Sequence, residues 1–317
     1  MVAQRIGFDG RVVVVTGAGN GLGRAYALEL GRRGAQVVVN DLGTDLEGIG
    51  RSSAAADAVV AEIRAAGGTA VASYDTVATP EGGAAIVRTA LDAFGKVDAV
   101  IHNAGIQRHL PFEQVHWEQL DAVLDTNLKA AFYVTQPAYR VMKAQGYGRF
   151  LFTSSSSGLI GNIERASYGA AKAGAFGLMN VIAIEGAQHG ILANALMPNA
   201  ATRMAANAPG DALAAMRRVL GDRADAMTPE FVAPLAVYLV SERCTATRRV
   251  YSACVGRYSR VFIGMCDGWL APSGAPPSVE EIEERFGTIG DMERFSVPET
   301  QFEEFDRAAR MDRGEIG

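Results

Sequence analysis

Short runs rich in valine and isoleucine alternate along this chain with alanine-rich stretches that are long enough to form helices. This alternation is typical of βαβ units, in which parallel strands form a sheet and the connecting helices cover its two faces. We therefore predict an α/β fold built on one doubly wound parallel sheet. Its seven strands are expected at Arg11 to Thr16, Gln36 to Asp41, Thr69 to Tyr74, Val97 to His102, Arg149 to Thr153, Ile191 to Met197 and Val261 to Gly264.

Helices are predicted between these strands, and two segments interrupt the pattern. The first interruption, Asn199 to Thr228, follows a strand, where an open α/β sheet commonly places a ligand-gating loop. The second is an acidic tail, so we expect residues 1–270 to form one α/β domain and residues 271–317 a C-terminal extension. The helices are expected near Gly21 to Arg33, Ser53 to Ala66, Pro80 to Phe94, Trp117 to Ala144, Ser167 to Gln188 and Pro229 to Ser241.

Composition and charge exclude several classes of function. Hydrophobic residues fill 49% of the 317 positions, but no apolar run is long enough to cross a bilayer, and the first ten residues lack a signal-peptide pattern. Ser273 to Gly317 carries 12 acidic and 5 basic residues, which leaves a nearly neutral body without a basic surface for nucleic acid. We expect a cytoplasmic protein that binds neither membrane nor nucleic acid. Spacing of about ten residues between Cys244, Cys254 and Cys266 favours reduced thiols and no metal site.

A glycine-rich turn joins the first predicted strand to the first predicted helix. Residues 16–23 read TGAGNGLG. Glycines in such a turn let backbone amides approach a pyrophosphate, whose negative charge is favoured at a helix N-terminus. The strand before the turn and the helix after it distinguish it from an ordinary structural turn. We predict that it binds the phosphates of a dinucleotide through Gly17, Asn20, Gly21, Leu22 and Gly23.

The ends of the following strands supply the rest of the predicted cofactor site. Asp41 lies 18 residues after Gly23, where a carboxylate can accept hydrogen bonds from ribose hydroxyls and would repel a 2′-phosphate. We therefore expect NAD as cofactor, although Asp41 could simply open the next turn. Asp75 is expected beside the adenine, unless it is an ordinary cap. Small residues that permit close approach of the cofactor follow the fourth strand at Asn103, Ala104 and Gly105.

A tyrosine and a lysine four residues apart share one face of a predicted helix. Taken alone, such a pair is usually a surface feature. An ammonium at Lys172 would favour the phenolate of Tyr168, whose pKa must fall by roughly 2–3 units to act as a base near neutral pH. Ser155, 13 residues before Tyr168, could hold a substrate oxygen. Asn127 is unusual in mid-helix, and a kink with a water near Lys172 would explain it.

In this order and spacing, TGxxxGxG, NAG, Asn127, Ser155 and YxxxK resemble the motifs of the short-chain dehydrogenase/reductase family over about residues 7–270. The resemblance implies a Rossmann fold and a Ser-Tyr-Lys-Asn tetrad. In that tetrad Ser155 orients the carbonyl and Tyr168 exchanges the proton. Lys172 lowers the pKa of the tyrosine and binds the nicotinamide ribose, while Asn127 supports a proton-relay water. The resemblance further implies a homodimer or homotetramer formed through the long helices after the fourth and fifth strands.

Five shorter stretches are similar to the (3R)-hydroxyacyl-CoA dehydrogenase domains of type 2 peroxisomal multifunctional enzymes and to their stand-alone bacterial relatives. They lie at residues 8–11, 24–28, 38–43, 183–186 and 198–200. Pro198 matches a cofactor-binding position of the family, and Thr202 matches its contact to the nicotinamide amide. Asn199 departs from the family's more common Pro-Gly at this point.

The resemblance implies an NAD-dependent dehydrogenase that acts at the C3 hydroxyl or keto carbon of a (3R)-hydroxyacyl-CoA, in fatty-acid or sterol side-chain β-oxidation. A hydroxysteroid or other secondary-alcohol dehydrogenase would share the same catalytic residues. A non-catalytic dinucleotide-binding protein is the alternative from another class, but such proteins usually lose the tyrosine or the lysine. The predicted gating loop could cover an acyl chain and bind CoA phosphates, or form a solvated amphipathic helix. Its relevant residues are Arg203, Met204, Leu213, Met216, Arg217, Arg218, Leu220 and Arg223.

Overall fold

One large sheet forms the centre of the structure. The computed structural model describes residues 4–45, 48–202 and 212–316, with only the backbone of residues 212, 213, 215 and 216. The sheet's strands are β1 Val12–Thr16, β2 Gln36–Asn40, β3 Thr69–Ser73, β4 Ala99–His102, β5 Gly148–Thr153, β6 Ile191–Asn199, β7 Val250–Cys254 and β8 Arg257–Val261. They lie in the order β3-β2-β1-β4-β5-β6-β7-β8. The strands from β1 to β7 pair in parallel, which confirms the doubly wound α/β fold.

Helices cover the parallel strands on both faces, so the central strands read as continuous apolar runs. All five residues of β1 and all six of β5 are buried. The helices of this part of the chain are α1 Gly21–Arg32, α2 Ala54–Ala65, α3 Pro80–Phe94, α4 Trp117–Leu124, α5 Ala130–Gln145, α6 Ser156–Leu159, α7 Ala166–Gly186, α8 Ala212–Leu220 and α9 Ala233–Leu239.

The predicted strand at Val261 to Gly264 is wrong. The strand that extends the parallel sheet is β7, and a two-residue turn with φ of 45° at Val255 and 77° at Gly256 leads from it into β8. Two such residues form the tight turn of a β-hairpin, so β8 runs back along β7. The later run is the more apolar one in sequence, but Phe262 and Ile263 are 51% and 63% exposed. The hydrophobicity of the sequence therefore predicted the wrong segment as the last strand of the parallel sheet.

The single helix predicted from Trp117 to Ala144 is interrupted. Between α4 and α5 the chain forms a π-helical turn at Asp125–Lys129, and Asn127 lies at its centre. A π-helical turn holds one residue more than an α-helical turn and commonly marks a functional site. It is the local irregularity that the mid-helix asparagine indicated.

The chain divides into two compact units, Met1–Arg260 and Val261–Gly317. The first unit ends ten residues before the predicted domain boundary at residue 270. Within the second unit, Phe262 stacks on Phe295 with ring centroids 5.8 Å apart. Its regular elements are β9 Met265–Cys266, α10 Val279–Ile289, β10 Phe295–Ser296 and α11 Gln301–Asp312, with β9 and β10 paired antiparallel.

Three further features concern membranes, thiols and metals. Within the described ranges, no helix combines the length and apolar character needed to span a bilayer. Cys244, Cys254 and Cys266 are free thiols. Among the residues that the structure describes, no three His, Cys, Asp or Glu side chains are grouped so that they could hold a metal ion.

Candidate active site

A cavity of about 920 Å³ opens beyond the carboxyl ends of the parallel strands. It lies where the strand order reverses between β1 and β4, the usual ligand position in an open α/β sheet. Most of the predicted site residues line it, whereas Gly23 and Asn127 are buried. Those that line it are Gly17, Asn20, Gly21, Leu22, Asp41, Asp75, Asn103, Ala104, Gly105, Ser155, Tyr168, Lys172, Pro198 and Thr202.

The turn after β1 requires glycine because the surrounding backbone is too close for a side chain. Gly17 has φ of 62°, and a Cβ there would lie 2.8 Å from the Cα of Ala104. A Cβ on Gly23 would lie 2.1 Å from the carbonyl oxygen of Gly17. These contacts hold the start of α1 directly against the turn, so its N-terminal amides face the cavity.

The N-terminus of α1 is open to an anion. The side chain of Asn20 does not cap the helix, and the first turn of α1 carries no acidic residue. Gly21 lines the cavity, and a Cβ there would approach Cγ2 of Thr202 to 3.4 Å. A free helix N-terminus favours phosphate through its amides and its dipole. The residues present therefore fit the pyrophosphate of a dinucleotide.

The carboxylate of Asp41 connects this turn to the end of β2. Its Oδ2 accepts a hydrogen bond of 2.8 Å from the amide of Gly19, and its Oδ1 accepts one of 2.8 Å from the amide of Gly43. Each carboxylate oxygen has a second lone pair, so Asp41 can accept further hydrogen bonds from hydroxyl groups. Next to it, Nδ2 of Asn40 donates to the carbonyl oxygen of Asp75 at 2.9 Å, which fixes the end of β3.

Thr16, a residue that we did not predict, holds the segment after β4. Its Oγ1 accepts hydrogen bonds from the amides of Asn103 at 3.0 Å and Ala104 at 3.1 Å. Nδ2 of Asn103 donates in turn to the carbonyl oxygen of Gly17 at 3.1 Å. The signal in the sequence was a hydroxyl residue at the end of a strand of valines.

The side chain of Asn127 holds the next part of the same segment in place by hydrogen bonds to its backbone. Its side chain is fully buried, and it forms two hydrogen bonds with the backbone of Ile106. Oδ1 accepts from the Ile106 amide at 2.8 Å, and Nδ2 donates to the Ile106 carbonyl at 2.7 Å. A Cβ on Gly105 would lie 2.8 Å from Oδ1 of Asn127, so only glycine allows this approach.

Ser155, Tyr168 and Lys172 come together on the opposite wall. The side chains of Ser155 and Tyr168 interact, and both line the cavity. Nζ of Lys172 lies 5.6 Å from the centroid of the Tyr168 ring and donates a 2.7 Å hydrogen bond to the carbonyl oxygen of Thr153. This contact anchors the ammonium at the end of β5, beneath the phenol.

Burial sets the protonation of this cluster. It raises the pKa of Tyr168, although the nearby Ser155 hydroxyl and the Arg165 cation act in the opposite direction. Burial also lowers the pKa of Lys172 to about 8. Burial and the charge of Lys172 together lower the pKa of His102 to about 3, so this buried imidazole is neutral. The cluster thus presents a phenol hydroxyl, a second hydroxyl and an ammonium. Together these groups can exchange a proton with a bound oxygen atom.

Two of the remaining cavity residues carry polar groups that sequence reasoning missed. Arg165 and Gln107 line the cavity, and Nη1 of the arginine donates a hydrogen bond to Oε1 of the glutamine. The guanidinium carbon lies 5.9 Å from the Tyr168 ring centroid. The only available signal was a basic residue three positions before the tyrosine.

The predicted gating loop is described only in part. Arg203 and Met204 lie outside the described residues, as do the side chains of Leu213 and Met216. The helix α8 lies within the loop. The loop's described arginines are exposed. They are Arg217 and Arg218 in α8 and Arg223 after it.

A model of the short chain dehydrogenase family matches residues 11–211 of this chain. The chain belongs to the short-chain dehydrogenase family. A short-chain type dehydrogenase/reductase of Mycobacterium tuberculosis is 47% identical over 287 residues, which cover 90% of this chain and 96% of that relative. Peroxisomal multifunctional enzyme type 2 of Mus musculus is 43% identical over 306 residues, which cover 94% of this chain but 39% of that enzyme. The full-length type 2 structure from Drosophila melanogaster superposes with a TM-score of 0.79 at 33% identity, over 96% of this chain and 50% of that one.

These matches confirm both predicted resemblances. As a short-chain dehydrogenase, the protein is an oxidoreductase that acts on small molecules with a nicotinamide dinucleotide, NAD or NADP. The chain spans nearly the whole of the mycobacterial relative and less than half of the mouse multifunctional enzyme.

Proposed function

We propose that this short-chain dehydrogenase oxidises the C3 hydroxyl of (3R)-hydroxyacyl-CoA thioesters with NAD. The observation that carries the proposal is the 43% identity to a type 2 peroxisomal multifunctional enzyme over 94% of this chain. The Ser155, Tyr168 and Lys172 cluster beside the cavity supports it, because these are the groups that the reaction needs at the substrate oxygen.

The chain's own residues account for the proton transfer. Tyr168 takes the hydroxyl proton as the alcohol becomes a ketone, and Ser155 holds the same oxygen by a hydrogen bond. Lys172 stabilises the phenolate by its charge, while the side chain of Asn127 keeps the Ile106 backbone in place at the cavity wall. The bound nicotinamide supplies the acceptor for the hydride that leaves C3. A proton-relay water at Asn127 is part of this proposal.

The preference for NAD rests on Asp41. Its carboxylate lines the cavity at the end of β2, beside the glycine-rich turn. In the proposed complex its free lone pairs accept hydrogen bonds from the adenine ribose hydroxyls, and its charge repels a 2′-phosphate. The phosphates lie against the turn and the N-terminus of α1. Asp75, Asn103, Pro198 and Thr202 complete the proposed contacts to the cofactor.

Replacing Asp41 by alanine is expected to relax the cofactor preference. We expect the ratio of kcat/KM for NAD to that for NADP to fall by at least about tenfold, since one repulsive charge and two ribose hydrogen bonds disappear. Steady-state kinetics with both cofactors measures the ratio. Asp41→Asn is the matched control, because it keeps the shape and one acceptor oxygen, so it should relieve the repulsion of NADP with a smaller loss of NAD binding. Equal use of the two cofactors by the unmodified enzyme would contradict the assignment.

Apolar side chains near the cavity support an acyl substrate. Asn162 lines the cavity. Ile160 and Ile163, two residues before and one residue after it in the chain, are 76% and 79% exposed. Exposed branched side chains next to a binding cavity are suited to contact an alkyl chain.

Stereochemistry tests the proposed substrate class. We expect NADH formation from a (3R)-hydroxyacyl-CoA at a rate at least about tenfold above that from its (3S) enantiomer, because one fixed arrangement of Ser155 and Tyr168 accepts a single configuration at C3. Parallel assays with the two pure thioesters and with a set of hydroxysteroids measure this. Preference for the (3S) isomer, or activity confined to steroid alcohols, would favour the hydroxysteroid dehydrogenase alternative.

We also propose that the enzyme forms a homodimer or homotetramer through α5 and α7. Large apolar side chains are exposed on both helices. Phe132 is 49% exposed on α5, and Val181 and Ile184 are 50% and 55% exposed on α7. Such side chains are typical of a subunit interface.

A further inference from the structure

Arg165 places a positive charge in the wall of the cavity immediately beside the proton-exchanging tyrosine. It lies three residues before Tyr168, and its guanidinium carbon is 5.9 Å from the centroid of the Tyr168 ring. It is half-buried, so water screens its charge only in part. None of the roles assigned above uses this cation.

Two neighbouring segments hold the arginine in position. Leu110 forms an isolated parallel bridge with Arg165, and its amide donates a 3.1 Å hydrogen bond to the carbonyl oxygen of Glu164. Glu164 has φ of 58°, a left-handed conformation that is uncommon for a residue other than glycine. The hydrogen bond to Gln107 then joins the arginine side chain to the segment after β4. The guanidinium is therefore prearranged.

The guanidinium of Arg165 forms no direct ion pair with a carboxylate among the described residues. Its side-chain hydrogen bond goes to the neutral amide oxygen of Gln107, and the neighbouring Glu164 carboxylate acts on it only through longer-range electrostatics. A guanidinium has five N–H donors in a planar fork that matches carboxylate and carbonyl oxygens. Partial burial without a direct ion pair leaves N–H donors of this cation suited to an oxygen acceptor that a ligand brings into the cavity.

We infer that Arg165 is a specificity-determining residue that binds the oxygen on C1 of the substrate while Tyr168 acts on the oxygen at C3. This inference rests on the proposed function and deepens it. Residues three apart at the start of a helix are neighbours on its surface, so their side chains can reach two oxygens of one small group. In a 3-hydroxyacyl group the C1 and C3 oxygens are separated by only three carbon atoms. Gln107 orients the guanidinium and adds an amide beside it.

The recognised chemistry is a carbonyl-type oxygen at C1, which either a thioester or a free carboxylate supplies. Three substrates of equal chain length separate these sources. They are the N-acetylcysteamine thioester of 3-hydroxyoctanoic acid, the free 3-hydroxyoctanoate, and 3-octanol, in which a methyl group replaces the C1 carbonyl. Their oxidation by NAD is measured with the unmodified enzyme and with Arg165→Met, Arg165→Lys and Arg88→Met. Arg88 is an exposed arginine on α3 and controls for loss of a surface charge.

For Arg165→Met we expect kcat/KM to fall by about 10- to 100-fold with the thioester or the acid, the ratio typical of a lost hydrogen bond from a charged group. With 3-octanol the change should stay within about threefold, because that alcohol has no C1 oxygen to lose. Arg165→Lys should recover part of the loss, and Arg88→Met should match the unmodified enzyme. A larger effect on the acid assigns the site to a carboxylate, and a larger effect on the thioester assigns it to the thioester carbonyl.

An equal fall with all three substrates would overturn the inference, since it would show that Arg165 only supports the fold or the tyrosine. No change with any substrate would overturn it as well. Failure of the proposed function looks different. If the unmodified enzyme oxidises the free acid but not the thioester and Arg165→Met removes this activity selectively, the arginine assignment stands and the thioester assignment falls. If it oxidises none of the three, both fall.

Discussion

Turnover of the Tyr168→Phe variant is expected to be lower by roughly 10²- to 10⁴-fold, the range for loss of a general acid or base. The substitution removes the hydroxyl that lies beside Ser155 and keeps the aromatic ring. That ring is buried with Ile106, Val123 and Ala171, so the packing of the variant should be preserved. The rate of NADH formation at saturating substrate measures the effect.

Two control measurements separate loss of chemistry from loss of structure. Dinucleotide affinity, measured by fluorescence titration, should change little because the phosphate-binding turn is untouched. In the unmodified enzyme, alcohol oxidation should accelerate as pH rises towards about 8, because the phenolate of Tyr168 is the reactive base and Lys172, whose pKa is about 8, keeps its charge over this range. That limb of the pH profile should be absent from the residual activity of the phenylalanine variant. Near-normal turnover of the variant would show that Tyr168 is not the proton-exchanging group.

Replacing Lys172 by methionine is expected to lower kcat/KM by at least about 100-fold without destabilising the fold. The activity falls because the phenolate loses a buried cation whose Nζ lies 5.6 Å from the ring centroid. The fold is retained because the ammonium is buried, and its pKa of about 8 shows that burial disfavours the charged form. A methionine of similar length removes that penalty, which is on the order of 3 kcal/mol.

The stability difference should depend on pH in a defined direction. Because the pKa of Lys172 is lower in the folded protein than its ordinary value of 10.5, the folded state releases this proton first, between about pH 8 and 10.5. The unmodified enzyme therefore gains stability relative to the variant as pH rises through this window. The Tm advantage of Lys172→Met should be largest near pH 7 and smallest near pH 10, by differential scanning calorimetry. Arg88→Met, at an exposed position on α3, should show neither effect. A variant that is less stable at every pH, or fully active, would contradict the prediction.

The elements that the sequence predicted well are those in which local chemistry and burial agree. β1 consists of four valines and a threonine, and it is buried on both faces between helices. α3 begins after Thr79, whose side chain caps the helix, and ends at Gly95 with φ of 77°, so both ends were marked by residue type. Such signals act over a few residues and need no knowledge of the rest of the chain.

The missed elements depend on contacts between distant segments. β7 contains tyrosine, serine and cysteine, and it is a strand because β6 offers it a parallel edge. Arg165 is an ordinary surface residue in sequence, and only the bridge to Leu110 places it beside the cavity. The sequence likewise shows a threonine at position 16, but it does not show that this side chain accepts hydrogen bonds from two amides 87 and 88 positions away. Pairings over such separations are set by the tertiary fold rather than by local propensity.

The π-helical turn at Asp125–Lys129 changes the rotational phase of the long helix that contains it. Each helical residue advances by about 100° around the axis, so one additional residue in a turn rotates all later side chains by that angle relative to the earlier ones. α4 thereby buries Val123 against the tyrosine cluster, while α5 directs a different stripe, from Ala130 to Met142, toward the interior. Deleting one residue within the turn would restore a regular helix but would force one of these two faces toward solvent. The segment is thus intolerant of changes in length even where it tolerates changes in residue type, and Asn127 lies at the point where the two phases meet.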